Sequence, residues 1–270
     1  MKKLSFLLLI LGSYLSAGVQ LDFAVEDTFG KGLGYKANYV SGLVGVTTFL
    51  DEQPLNPFFQ GRVFYFPATD WNGLSGLAGV AFGCPDDKTI SRIYGTVDYF
   101  RRTDEFFQIG YGMIFPTPIG GIFAEYNHPI SLGKVFEEEF FDDYIGDYFF
   151  GAEMIHIPCQ LFRFGIENKI NLLPWIQAVA RLEGYYFRNQ FRPSVWGGAI
   201  CLRANIGSNA SVFIKGGYDH VFKKTLIAGL QIDLYRTSTL SEDKYCFPFP
   251  WVEREPIPVL DQRFFWRSNY

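Results

Sequence analysis

Between Trp175 and Tyr235 apolar and polar side chains alternate in four successive runs separated by short breaks. In the first run Ile176, Ala178, Ala180, Leu182, Gly184 and Tyr186 share one face, and Gln177, Arg181, Glu183 and Tyr185 share the other. Trp196, Gly198, Ile200, Leu202 and Ala204 oppose Cys201, Arg203 and Asn205 in the second. Val212, Ile214, Gly216 and Tyr218 oppose Lys215 and Asp219 in the third, and Leu226, Ala228, Leu230, Ile232 and Leu234 oppose Gln231 and Asp233 in the fourth. A period of two marks β-strands. Runs of about ten residues with one apolar face, one charged face and aromatics near the ends fit the wall of a transmembrane barrel, apolar toward lipid and charged toward the lumen.

The rhythm extends toward the N-terminus through 35–50, 58–66, 75–83, 92–101, 106–115, 119–129, 148–158 and 161–171, with turn chemistry such as PATDWNG and Pro116-Thr117-Pro118 between runs. Successive strands joined by tight turns, with no helical period, make an antiparallel meander. The expectation is an all-β fold, an antiparallel up-and-down transmembrane β-barrel of about 12 strands over residues 34–235. That count includes 148–158. Without it the number is odd, which requires another strand within 19–34 or 131–147. Residues 19–33 read as a periplasmic leader. Residues 236–270, with Pro248, Pro250, Pro256 and Pro258, read as an extended C-terminal tail or linker. The count also puts 131–147 on the periplasmic side, although its length suits an extracellular loop.

Lys2 and Lys3, the apolar run Leu4–Leu11 and the small residues Ser16, Ala17 and Gly18 predict a signal peptide over 1–18, cut after Ala17 or Gly18. The run is shorter than the roughly 20 residues of a spanning helix. Export as a barrel points to the outer membrane of a Gram-negative-type bacterium, with outer-membrane lipid as a partner. Aromatics at 19%, with 29 Phe, 16 Tyr and 28 Gly, suit interfacial girdles and a crowded interior. A net charge of −4 gives no reason to expect a nucleic-acid partner. Cys84, Cys159, Cys201 and Cys246 contain no C-x-x-C, so they match no zinc pattern; their pairing stays open, and Cys84 or Cys246 are candidates for intermolecular disulfides. The acidic run at 137–143 lacks calcium-loop spacing, and His128, His156 and His220 lie in separate segments. These residues point to no cofactor, no metal and no enzyme.

The inward-facing charges are the candidate functional set: Arg62, Asp98, Arg163, Glu167, Lys169, Arg181, Glu183, Arg203, Lys215, Asp219 and Asp233. They fit either a charged channel that guides a polypeptide or solute, or a lumen network that only satisfies itself. Arg254, Arg263 and Arg267 give the tail a charge complementary to Glu167, Glu183, Asp219 and Asp233, so the C-terminal tail is itself a candidate occupant of the lumen.

The order QGRVFYFPATDWNGLSGLAGVAFG, RIYGTVDYFRRTDEFFQIGYGMI and AEYNHPI resembles the translocation domain of inverse autotransporters, the intimin and invasin group. The matching residues are Asp98, Tyr99 and Phe100, then Gly110 and Gly112, then Tyr126, Asn127 and Pro129; FGIENKINLLPW, ARLEGYYF and GGYDHVF follow in order. The ending LIAGLQIDL is similar to the signal read by the barrel-assembly machinery, and the short form with VEREPIPVLD is most similar to members from chlamydia-like bacteria. The resemblance implies a twelve-stranded barrel whose C-terminal linker threads the pore and exports a passenger, in a translocation or adhesion-related role. Neither a LysM-type module nor an immunoglobulin-like passenger is found in the 270 residues, leaving 236–270 as the expected export. The alternatives are a small porin-like channel for solutes with its tail in the periplasm, and a secreted lectin-like sandwich.

Overall fold

The computed structural model describes residues 18–33, 36–49, 55–82, 91–102, 105–117, 120–131, 134–145, 148–173, 176–206, 209–236, 252, 254, 257 and 259–268. In chain order the strands are β1 (Gly18–Lys31), β2 (Lys36–Phe49), β3 (Leu55–Phe66), β4 (Trp71–Phe82), β5 (Ser91–Arg101), β6 (Glu105–Thr117) and β7 (Gly120–Pro129). They continue with β8 (Lys134–Ile145), β9 (Tyr148–Pro158), β10 (Gln160–Leu173), β11 (Ile176–Asn189), β12 (Arg192–Asn205), β13 (Ala210–Asp219), β14 (Lys223–Arg236) and β15 (Leu260–Ser268). Twelve of them close an antiparallel barrel in the order β1-β14-β13-β12-β11-β10-β7-β6-β5-β4-β3-β2. The other three form a separate sheet, β15-β9-β8. At a rise of about 3.3 Å per residue and a tilt of about 40°, a twelve-residue strand such as β3 covers about 30 Å along the barrel axis.

The barrel is inverted relative to a water-soluble protein. Val97, Leu182 and Ile200 are more than half exposed on its outside, with Val63, Ile122, Ile166 and Leu230 around the same belt. Asp98, Glu125, Arg163, Arg181 and Glu183 are buried inside. A continuous apolar belt of this size suits lipid and not water. Closure excludes the sandwich.

Two strand assignments change. The segment read as a leader is a barrel strand: β1 pairs with β2 from Gly18↔Phe49 to Lys31↔Lys36 and with β14 from Asp22↔Arg236 to Lys31↔Leu226. Its charges conceal ordinary alternation, because Asp22, Ala24, Glu26 and Thr28 are buried while Phe23, Val25 and Phe29 are exposed. The segment 148–158 is a strand, β9, but outside the barrel. β7 pairs directly with β10, from Leu161↔Asn127 to Glu167↔Gly121, which leaves β9 no edge in the wall. One strand enters the count and one leaves it, and twelve remain.

This exchange also resolves the side of the long loop. Gly18 and Arg236 share one rim, called proximal here. Seven strands precede residues 130–159, so this excursion, with β8 and β9, leaves the opposite, distal rim. The tail is not wholly a linker. Past its last proline, residues 260–268 form β15, an edge strand that pairs with β9 from Leu260↔Pro158 to Ser268↔Phe150. Residues 1–17 of the expected signal peptide, Cys84 and Cys246 lie outside the described residues, as do the side chains of the acidic run on β8.

Candidate functional site

Alternation puts the eleven predicted charges on one face of their strands, all but Lys169 are buried or half-buried there, and the wall draws most of them into ion pairs. On β10 and β11, Arg163 Nη2 lies 2.6 Å from Glu183 Oε2, and Lys215 Nζ of β13 lies 2.6 Å from Glu183 Oε1. Arg181 Nη2 donates to Glu167 Oε2 at 2.6 Å, with its guanidinium 4.4 Å from the Phe123 ring centroid. Arg62 and Arg203 both approach Glu26, at 3.3 and 3.7 Å, and Arg203 donates to Gln231 Oε1 at 3.0 Å. Asp219 accepts from Tyr185 Oη at 2.8 Å and from the backbone N–H groups of Val221 and Phe222, which ties the β13–β14 turn to the wall. Asp233 accepts from Gln231 Nε2 at 2.7 Å. Lys169, on the same face of β10 by alternation, is exposed where that strand nears the proximal rim.

Asp98 belongs to a different cluster. Its neighbours are Ser75 of β4, Thr96 of β5, Gln108 of β6, and Glu125 and Asn127 of β7, all buried. Arg254 of the tail reaches into this group: Nη1 donates to Asp98 Oδ1 at 2.5 Å and Ser75 Oγ at 2.8 Å, and Nη2 to Asp98 Oδ2 at 2.6 Å. The tail cation thus pairs with Asp98, not with Glu167, Glu183, Asp219 or Asp233. Those four receive their hydrogen bonds or ion pairs from the wall itself. Arg263 and Arg267 lie on β15, opposite Ile155 and Gly151 of β9.

The described tail residues contact the wall in axial order. Val252 donates its backbone N–H to Gln60 Oε1 and clusters with Phe58, Ala81 and Ile114 near the proximal rim. Arg254 meets Asp98 further in. Ile257 and Leu260 cluster with Tyr39, Phe64, Phe66, Phe100 and Phe106 near the distal rim, and Val259 with Leu161, Tyr185, Phe187 and Val195. Val259 C=O then accepts from the N–H of Cys159, next to the first β15–β9 pair. From Val252 to Leu260 an extended chain reaches at most about 26–29 Å, the order of a barrel's apolar height. Beside Val252 and Arg254 a gap of about 20 Å³ is left against Leu43, Gln60, Arg62 and Leu77, room for about one water. A larger cleft of about 450 Å³ opens at the distal rim between His128, Ile157, Gln160 and Arg188.

The glycines of the GYG run on β6 make space for this interior. A Cβ on Gly110 would strike Asn127 Oδ1 and Thr96 Oγ1, and one on Gly112 would strike the Tyr94 ring. Glu26, Glu125, Gln108 and Thr96 were absent from the predicted set. The alternation that selected Asp98 also selects them, once β1 is taken as a strand and uncharged polar groups are counted. Among the described residues no group of three or more His, Cys, Asp or Glu could hold a metal ion.

No protein-family model matches the chain, and no curated protein matches it by sequence. Among solved structures it is similar to a chain from a study of in-meso crystallization of membrane proteins, with a TM-score of 0.59 at 13% identity, covering 91% of this chain and 100% of the other. The fold is that of an outer-membrane β-barrel. Lower similarities include the NanC porin, with a TM-score of 0.41 at 10% identity over 78% of this chain and 100% of the porin. The β-domain of the Bordetella autotransporter BrkA has a TM-score of 0.37 at 13% identity over 80% of this chain and 99% of that domain.

Proposed function

We propose that this protein is an outer-membrane barrel of inverse autotransporter type that carries its own C-terminal segment through the lumen and holds it on the outer face. It acts by translocation and anchoring and not by catalysis. The observation that carries the reading is the axial order of Val252, Arg254, Ile257 and Leu260 along the inner wall, followed by the pairing of β15 with β9 beyond the distal rim. The proximal rim, which carries both ends of the barrel, is then periplasmic, and the long 130–159 excursion is extracellular. The ending Ile227–Leu234 lies on β14, where the assembly machinery would read it.

The same contacts favour this reading over a porin, because Val252, Arg254, Ile257 and Leu260 take up space along the inner wall that a solute would need. The test is single-channel conductance in a planar bilayer for the intact chain and for a deletion of 240–270. The intact chain should be nearly silent and the deletion should conduct steadily. Equal conductance in both, together with liposome swelling by the intact chain, would replace this reading with the porin.

A further inference from the structure

The wall formed by β4 to β7 carries a cluster of buried hydrogen-bond acceptors. Two neighbouring rows of cross-strand partners build it: Ser75↔Asp98 and Asp98↔Gln108, then Thr96↔Gly110 and Gly110↔Asn127. Glu125, two residues before Asn127, closes one side. The acceptors are aimed before any ligand is considered. Gln108 Nε2 donates to Asp98 Oδ2 at 2.8 Å, and Asn127 Nδ2 donates to Glu125 Oε1 at 2.6 Å. Gly110 keeps the floor open, since a side chain there would meet both Thr96 and Asn127.

Arg254 fills this site as a planar fork. Both Asp98 oxygens are used, at 2.5 and 2.6 Å; Ser75 Oγ accepts from Nη1 at 2.8 Å, Thr96 Oγ1 at 3.3 Å and Asn127 Oδ1 at 3.4 Å share the second N–H of Nη2, and Nε faces Glu125 Oε1 at 3.6 Å. A guanidinium offers five donors in a plane, and this site presents acceptors around that plane. An ammonium is a point charge with three donors and fits one carboxylate at a time. Asp98 and Asn127 are fully buried, so an empty site leaves charge in a place that cannot hydrate it well. On the β10–β14 side Glu167 and Glu183 find their cations within the wall; here the closest cation to Asp98 among the described contacts comes from the tail.

We propose that Ser75, Thr96, Asp98, Glu125 and Asn127 form a guanidinium receptor, selective for arginine, that stops the tail at one register and thereby sets Leu260 opposite Pro158. The proposal rests on the lumen-threaded reading and adds to it what holds the thread in place.

The test is chemical rescue in the full-length chain, reconstituted in liposomes and checked for heat-modifiable migration. The readout is the rate at which added protease cuts within 260–268. In Arg254→Ala that rate should rise at least about tenfold, the consequence of losing a buried charge-assisted pair. Guanidinium chloride at tens of millimolar should return the rate toward wild type and saturate; methylammonium chloride at equal ionic strength should not. Arg254→Lys should also be cut faster than wild type, which keeps the idea testable if the alanine variant fails to fold. Wild-type protection in Arg254→Lys, or equal rescue by both salts, overturns guanidinium selectivity. Unchanged protection in Arg254→Ala overturns the receptor as the stop. If deletion of 240–270 opens the pore while Arg254→Ala leaves protection intact, the threaded reading stands and only the receptor falls.

Discussion

Replacing Glu183 with Gln should destabilise the barrel more than replacing Arg163 with Met, although the two residues are ion-pair partners. Glu183 neutralises two cations, Arg163 and Lys215, each at 2.6 Å. Without its charge, the carboxylate left facing Arg163, which is 3% exposed, is the more distant Glu125 at 3.7 Å. Removing one member of a buried pair costs about 3–5 kcal/mol, and because Lys215 is 18% exposed and partly hydrated we expect the low end, about 3 kcal/mol. In Arg163→Met the carboxylates keep partners: Glu183 has Lys215, and Glu125 has Arg254 at 3.6 Å. That loss should be about 1 kcal/mol. The double variant restores charge balance and should lose about 1–2 kcal/mol, less than the sum of the singles. Urea unfolding in liposomes, followed by tryptophan emission and extrapolated with a common slope, gives these values. A Glu183→Gln loss at or below that of Arg163→Met, or strict additivity in the double, would refute the assignment of charges.

Three further outcomes follow from other parts of the molecule. Leu182→Arg, at mid-strand on the outer face of β11, should cost about 2–4 kcal/mol in a bilayer, whereas Trp196→Arg near the distal rim should cost at most about 1; equal costs in unfolding titrations would argue against a membrane belt at this height. Gly112→Ala should lose about 1–3 kcal/mol by overpacking against the buried Tyr94 ring, and Gly112→Ala with Tyr94→Leu should regain part of it. His156 of β9, outside the barrel wall, is pushed down to about 4 from 6.5 by burial and then by the charge of Arg102. The unfolded segment therefore binds a proton that the folded one refuses between those values. The local stability of the β9 segment should be full above pH 6.5 and fall as pH drops toward 4, read as faster cutting at 260–268, and His156→Gln should flatten the profile.

The wall from Leu161 to Tyr235 was legible because charge and hydrophobicity alternate there without interruption. β1 was not, since Asp22, Glu26 and Asp27 within a few residues look like a solvated arm until a polar lumen gives two of them somewhere to point. The residues of β9 formed a credible wall strand, and only pairing of β7 with β10 removes it. Alternation in a single strand marks a face but not a neighbour. The same holds for the site. Asp98 could be placed inside, but its partner lies 156 residues away on a segment whose prolines hide any period. Fourteen of the 270 residues are Pro, and the four clustered before β15 made the whole tail read as linker, including the part that pairs.

The pairing of β15 with β9 has a mechanical consequence. In the proposed threaded state the chain passes through a ring that its own backbone closes at the β1–β14 seam, then is fastened on the far side by a nine-residue ladder. Ring and thread then act as a cord with a stopper: withdrawal inward draws the ladder against the rim and must first unzip it. The closing seam joins strands about 200 residues apart in sequence, so loop-closure entropy makes it a late event. A barrel whose seam closes before the thread has entered must pass every Phe and Trp of 260–268 through the closed ring, and one that closes around the thread need not.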